Sequence, residues 1–101
     1  MPAEEEKQRR EFLRWLMLLG LYNAQPIGAW EEVLLDISRG MYQDAAKREV
    51  RVTLEYLSDR GLVKLQKKPD GRWFADLTRH GFDVVEYTVD VEPGIARPSR
   101  G

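Results

Sequence analysis

Apolar residues recur along this chain at two different spacings, and the change from one to the other separates helices from strands. Between Glu4 and Asn23, Phe12, Trp15, Leu16, Leu19 and Tyr22 keep the i, i+3, i+4, i+7 rhythm of one helix face. Glu4, Glu5 and Glu6 stand at its start, where negative charge complements the helix dipole. Pro26 disfavours helical geometry at Gln25 and Gly28 adds a second breaker, so this helix ends near "NAQPIG". In "AWEEVLLDISRG", Trp30, Leu34, Ile37 and Met41 return at helical spacing. Glu31, Glu32 and Asp36 then point outward, and Gly40 is placed as the C-terminal cap. A third helix follows, with Asp44 positioned to cap it and Gly61 to end it. Its expected buried stripe is Ala46, Val50, Thr53, Leu54 and Leu57.

After Gly61 two strand-like runs, "LVKLQ" and "RWFADL", flank "KKPDG". That linker is a turn with a mechanism, since Pro69 presets φ, Asp70 tolerates turn geometry and Gly71 can take positive φ. Leu62–Gln66 therefore pairs with Arg72–Leu77 as a hairpin, with Trp73 and Phe74 on opposite faces. Thr78 is a candidate N-cap for a short last helix, and Leu77 and Phe82 are placed to form a hydrophobic staple. The closing "VEPGIARPSRG" has two prolines, two glycines and little to bury, so it is expected to be extended or mobile.

The order helix, helix, helix, strand, strand, helix is mainly α within the α+β class. Few residues separate the second and third helices, which is helix-turn-helix spacing. A three-helix core followed by a β-hairpin wing and a short C-terminal helix is a winged helix-turn-helix. The expected boundaries are a single domain over 1–91 and a flexible tail over 92–101. Within the domain they are a long N-terminal helix at about 4–23, the helix-turn-helix at about 29–60, the wing at about 62–77 and the last helix at about 79–87.

Composition narrows the function. At 101 residues, 43% apolar and 33% charged, the chain has the make-up of one soluble globular domain. No apolar run approaches the ~20 residues that span a bilayer. "MPAEEEKQRR" leads into no signal-type segment, so a cytoplasmic protein without a membrane partner is expected. The absence of cysteine excludes disulfides and thiolate metal sites. His80 is the single histidine and has no second ligand at metal spacing. Ser38, Ser58 and Ser99 lie at helix ends or in the tail, without a nucleophile-elbow context. No cofactor, no metal and no enzymatic activity are expected.

A net charge of −1 means that any nucleic-acid binding must come from local clustering. Lys47, Arg48 and Arg51 fall near the start of the third helix, away from Val50, Leu54 and Leu57. That is where a helix-turn-helix meets base edges and phosphates. In the wing, Lys64, Lys67, Lys68 and Arg72 are opposed only by Asp70, and three of the four flank the turn. The alternative for the helix is a solvated face of i, i+4 pairs such as Arg51 with Glu55, and for the wing an edge protected by lysine. From Asp44 to Arg60 the third helix is neutral, with Lys47, Arg48, Arg51 and Arg60 set against Asp44, Glu49, Glu55 and Asp59. Trp15, Tyr22 and Trp30 fit either a core or a homodimer surface.

The segment "LEYLSDRGLVKLQKKPDGRWFADLTRHG" resembles the recognition-helix end, wing and "L-T-x-x-G" exit of winged-helix regulators, among them multidrug-resistance and phenolic-acid repressors. More narrowly, "QPIG", "YLSDRGLV" and "LTRHGFDVVEYTVDVEPGIARPS" are similar to small winged-helix proteins of Mu-like phages and prophages. The resemblance implies a phage-encoded transcriptional regulator that binds double-stranded DNA, with its third helix in the major groove and its wing on the backbone. The alternative is a protein–protein adaptor built on the same scaffold, which an acidic second helix beside a neutral third one would suit.

Overall fold

Seven elements build the fold in the computed structural model, which describes residues 3–100: α1 (Ala3–Asn23), β1 (Ala29–Trp30), α2 (Glu31–Met41), α3 (Lys47–Asp59), β2 (Val63–Lys67), β3 (Trp73–Leu77) and α4 (Arg79–Val85). Residues 1, 2 and 101, which the expected boundaries include, lie outside the described residues. Four helices and a three-stranded antiparallel sheet in the order β1-β3-β2 form a winged helix, with the β2–β3 hairpin as the wing. No helix among the described residues is long and apolar enough to cross a membrane.

The centre is α1, which packs on α2, α3, α4 and β3. A helix covered on so many sides cannot be read from one stripe, and the stripe expected from the sequence is corrected accordingly. Leu13, Trp15, Met17, Leu18 and Leu21 are buried, whereas Phe12, Leu19 and Tyr22 pack only partly against them. Trp15 packs edge-on against Tyr87, the Tyr22 hydroxyl donates to Glu86, and Trp30 packs edge-on against Phe74, so all three aromatics are engaged within the chain.

The second helix departs further from its pattern. Its buried positions are Glu31, Leu34 and Ser38, while Ile37 and Met41 are exposed along with Val33. Gly40 is inside the helix rather than capping it, and the chain leaves through Tyr42 in extended geometry. Ser38 survives burial because its hydroxyl donates to Leu34 O at 2.8 Å. In α3, Val50, Thr53, Leu54 and Leu57 are buried as expected. The N-cap, however, is the exposed Ala46, with no side-chain bond, and Asp44 turns instead to Arg9. Gly61 closes α3 at φ 72°, the left-handed geometry that glycine adopts freely.

The hairpin pairs Val63 with Leu77, Leu65 with Ala75 and Lys67 with Trp73. The turn at Gly71 has φ 91°, and Asp70 Oδ1 accepts from Arg72 N at 3.0 Å. β1 is an additional two-residue strand that the sequence pattern is too short to reveal, pairing Ala29 with Ala75 and Trp30 with Phe74. Gly28 has φ 89°, and a Cβ there would meet Ala75 O at 2.6 Å, so only glycine lets the chain enter β1 this close to β3. Thr78 caps α4, its Oγ1 accepting from Gly81 N at 3.0 Å.

The tail, expected to have little to bury, buries Ile95 in the core. Ala96 N donates to Glu11 O at 3.1 Å, Arg14 Nη1 to Gly94 O at 2.9 Å, and Arg97 Nη1 to Val84 O and Val89 O at 2.9 Å each. Irregular backbone can pack when its polar groups find partners, and side chains and carbonyls from α1 and the α4 region supply them here.

Candidate nucleic-acid interface

The exposed face of α3 looks into a groove shared with the wing, lined by Lys47, Arg48, Arg51, Val52, Glu55 and Trp73 and holding about 520 Å³. Lys47 and Arg48 are exposed and make no ion pair or side-chain hydrogen bond among the described residues. They stand at the N-terminal end of α3, where unpaired backbone N–H groups add positive potential. Neither is tied into an ion pair among the described residues, though Lys47 adds a small part of the field on Glu31, which leaves both side chains available to an anion.

Arg51 is different. Its Nε donates to Glu31 Oε1 at 2.6 Å and its Nη2 to Glu31 Oε2 at 2.8 Å and to Gly71 O at 2.6 Å. Its guanidinium also lies 4.6 Å from the Trp73 ring centre. Glu31 is 1% exposed and accepts a further bond from Trp73 N at 2.9 Å. The expectation that Glu31 points outward is corrected, because it is the buried joint between α2, α3 and β3. Arg51 holds the Glu31 carboxyl below the usual carboxylate range, against the opposing effect of burial. Glu31 in turn raises the Arg51 guanidinium. Arg51 therefore fixes the wing turn against α3 and spends most of its hydrogen-bonding capacity there. An apolar stripe, the usual mark of a buried helix face, does not pick out Glu31. The spacing Glu31, Leu34, Ser38 is equally helical but two-thirds polar.

The wing cations divide between two faces of the hairpin. Lys67 lies toward α3, with Nζ 3.2 Å from Glu55 and 4.6 Å from the Trp73 ring centre. Strand alternation puts Lys64 and Gln66 on the opposite face. Lys64 is exposed and faces Asp76 in register, and Lys68 Nζ donates to Gln66 Oε1 at 2.6 Å. The Arg72 guanidinium lies 3.9 Å from the Trp30 ring centre, with Asp70 at 3.3 Å and Glu32 at 3.9 Å. Asp70 is held below its usual range, chiefly by the Arg72 backbone N–H. Lys47, Arg48 and Arg51 thus line one groove and Lys67 reaches its Glu55 and Trp73, whereas Lys64, Lys68 and Arg72 do not join it.

The acids of α3 also divide. Glu49 lies toward α1, where Arg9 Nε and Nη2 bond its two oxygens at 2.8 Å each, and Arg9 Nη1 takes Asp44 at 2.8 Å. Glu49, ahead of Asp44, raises the Arg9 guanidinium well above its ordinary value. Three of the four carboxylates that made the third helix neutral are therefore paired with a cation from another element, Asp44 and Glu49 sharing Arg9 and Glu55 taking Lys67. Glu55 remains in the groove beside Lys67. No group of three or more acidic or histidine side chains that could hold a metal occurs among the described residues.

No family model and no curated protein matches the sequence. Among solved structures, the chain is similar to MepR, a transcription regulator of the Staphylococcus aureus multidrug efflux pump MepA. The match has a TM-score of 0.62 at 19% sequence identity, and covers 84% of this chain and 66% of MepR. At that identity the likeness establishes the winged-helix fold.

Proposed function

We propose that this protein binds double-stranded DNA as a transcriptional regulator, with the N-terminal half of α3 in the major groove and the wing against the adjacent backbone. The observation that carries the reading is the unspent charge of Lys47 and Arg48 on the exposed crest of α3, beside a wing clamped in place by Arg51. An Arg at this position can read a guanine edge, and Lys47 suits a phosphate. Lys64, Lys67, Lys68 and Arg72 serve as backbone contacts, and Arg51 serves as the residue that positions the wing. The fold shared with a regulator supports DNA binding, and the segments similar to proteins of Mu-like phages and prophages support the further proposal of a phage-derived regulator acting in the cytoplasm. A homodimer on a palindromic site is compatible with it.

The test is fluorescence anisotropy on a random duplex across a salt series. Five phosphate contacts, from Lys47 and the four wing cations, give a log–log slope of about −4.5, each contact adding about −0.9. Lys47→Ala should flatten the slope by about 1, and adding Arg48→Ala should weaken binding further, neither change lowering Tm. An absence of wild-type binding even at low salt would overturn the proposal. A second reading, a protein-binding adaptor, is favoured by one observation. Val33, Ile37 and Met41 form an exposed apolar stripe on α2 beside the acidic Glu32 and Asp36.

A further inference from the structure

We infer that the α1 flank of α3 is a second backbone-binding surface, on which Lys7 and Arg10 grip the DNA strand opposite the one met by the wing. This rests on the DNA-binding reading above. The geometry behind it is that α3 has a groove on each side. Toward the wing lies the groove already described. Toward α1 lies another of about 340 Å³, lined by the cations Arg10, Arg14 and Arg48, by Glu49, and by Leu13, Ala46, Val52 and Thr53. Arg48 and Val52 line both grooves, which places them on the crest of α3 with the wing to one side and α1 to the other. An α-helix with its side chains is about 10–12 Å across and the major groove about 12 Å wide. A helix seated there brings both phosphate walls against whatever flanks it, so α1 meets the second strand.

The chemistry of α1 suits that contact. Lys7, Arg10 and Arg14 fall at i, i+3 and i+7 on one helix face. Lys7 and Arg10 are exposed and form no ion pair among the described residues. Arg14 is held, bonded to Gly94 O with its guanidinium 3.5 Å from the Tyr56 ring centre, and Arg60 lies 3.6 Å from the same ring. Burial chiefly lowers the Arg14 guanidinium, with Tyr56 opposing it and Arg10 and Arg60 adding smaller effects in the same direction as burial. The acids on this flank of α3, Asp44 and Glu49, share Arg9, which reduces their two negative charges to one. An adjoining hollow, which shares Arg10 and Glu49 with this groove, is lined by Glu5, Glu6, Arg9 and Asp44 as well, so the acids of the flank gather on the side away from Arg48.

The same salt series tests the inference with Lys7→Ala/Arg10→Ala, Lys67→Ala/Lys68→Ala and a control, Arg79→Ala. Arg79 is an exposed cation at the start of α4. The α1 pair should flatten the slope by about 2, as two lost phosphate contacts require, with unchanged far-UV circular dichroism and Tm. Arg10→Lys should keep the wild-type slope, and Arg79→Ala should leave it unaltered. If the wing pair flattens the slope and the α1 pair does not, the second surface is refuted while DNA binding stands. If Arg79→Ala flattens it equally per charge removed, the effect is one of net charge and the second surface is again refuted. If the wild type binds no duplex, both readings fall together.

Discussion

Replacing Glu31 by Gln should loosen the wing and destabilise the whole fold. The carboxylate is 1% exposed and accepts three bonds, two from Arg51 at 2.6 and 2.8 Å and one from Trp73 N at 2.9 Å. An amide keeps the shape but turns one acceptor into a donor, which then faces either Arg51 or the Trp73 N–H. Losing one charge-assisted bond to a buried acceptor costs roughly 1.5–3 kcal/mol. Because the Arg51 side chain is 29% exposed and can return to water, about 2 kcal/mol is expected for Glu31→Gln. In a domain of this size that corresponds to a Tm lower by about 8–16 °C. Urea unfolding followed by tryptophan fluorescence reads it directly, since Trp73 adjoins the carboxylate and Trp30 precedes it in the chain.

The pH dependence supplies a second arm. The Glu31 carboxyl is held below its ordinary value, chiefly by Arg51, so its contribution is complete above the ordinary carboxylate range and is lost as pH falls through the folded value. The gap between wild type and Glu31→Gln should be full at pH 7 and narrow on acidification below that range. A gap under about 0.5 kcal/mol at pH 7, the scatter of ordinary surface substitutions, would refute the joint. So would a gap that stays constant into acid.

Other outcomes follow from the same contacts. Gly28→Ala forces a side chain onto φ 89° against Asp76 Oδ1 and Ala75 O, and should cost roughly 1–3 kcal/mol in a thermal melt while detaching β1. Ile95→Ala should cost about 2–3 kcal/mol by chemical denaturation, since Ile95 is buried in the core; a cost near zero would return the tail to the solvent. Arg51→Ala should lower both Tm and DNA affinity, whereas Arg48→Ala should lower affinity alone, a separation that paired melting and anisotropy curves will show.

Much of the fold was legible because its punctuation is local. Gly61, the Pro69–Gly71 turn and Thr78 each act through their own backbone geometry, and each sits where a local rule places it. Burial was less legible. In α1 the apolar residues surround the helix, so periodicity could not say which face meets α3 and which meets α4. In α2 the buried stripe contains Glu31 and Ser38, whose burial depends on partners 42 and 4 residues away as well as on Arg51, and no spacing rule encodes the longer connection. At the candidate site, Lys47 and Arg48 were visible as exposed cations on a helix start. That Arg51 is tied to Glu31, and that Arg9 reaches Glu49 forty residues away, depends on tertiary contacts. β1 went unseen because two residues carry no alternation to detect.

The central claim is that the α3 crest and its flanks meet DNA, and it is tested most directly by mapping amide chemical shifts on titration with a random duplex. Shifts or broadening should concentrate at Lys47–Val52, at the wing turn between Lys67 and Arg72, and on α1 around Lys7–Arg10, leaving α4 and the segment around Ile95 still. A spectrum unchanged at saturating DNA and low salt would contradict the account, as would shifts centred on Val33, Ile37 and Met41 instead.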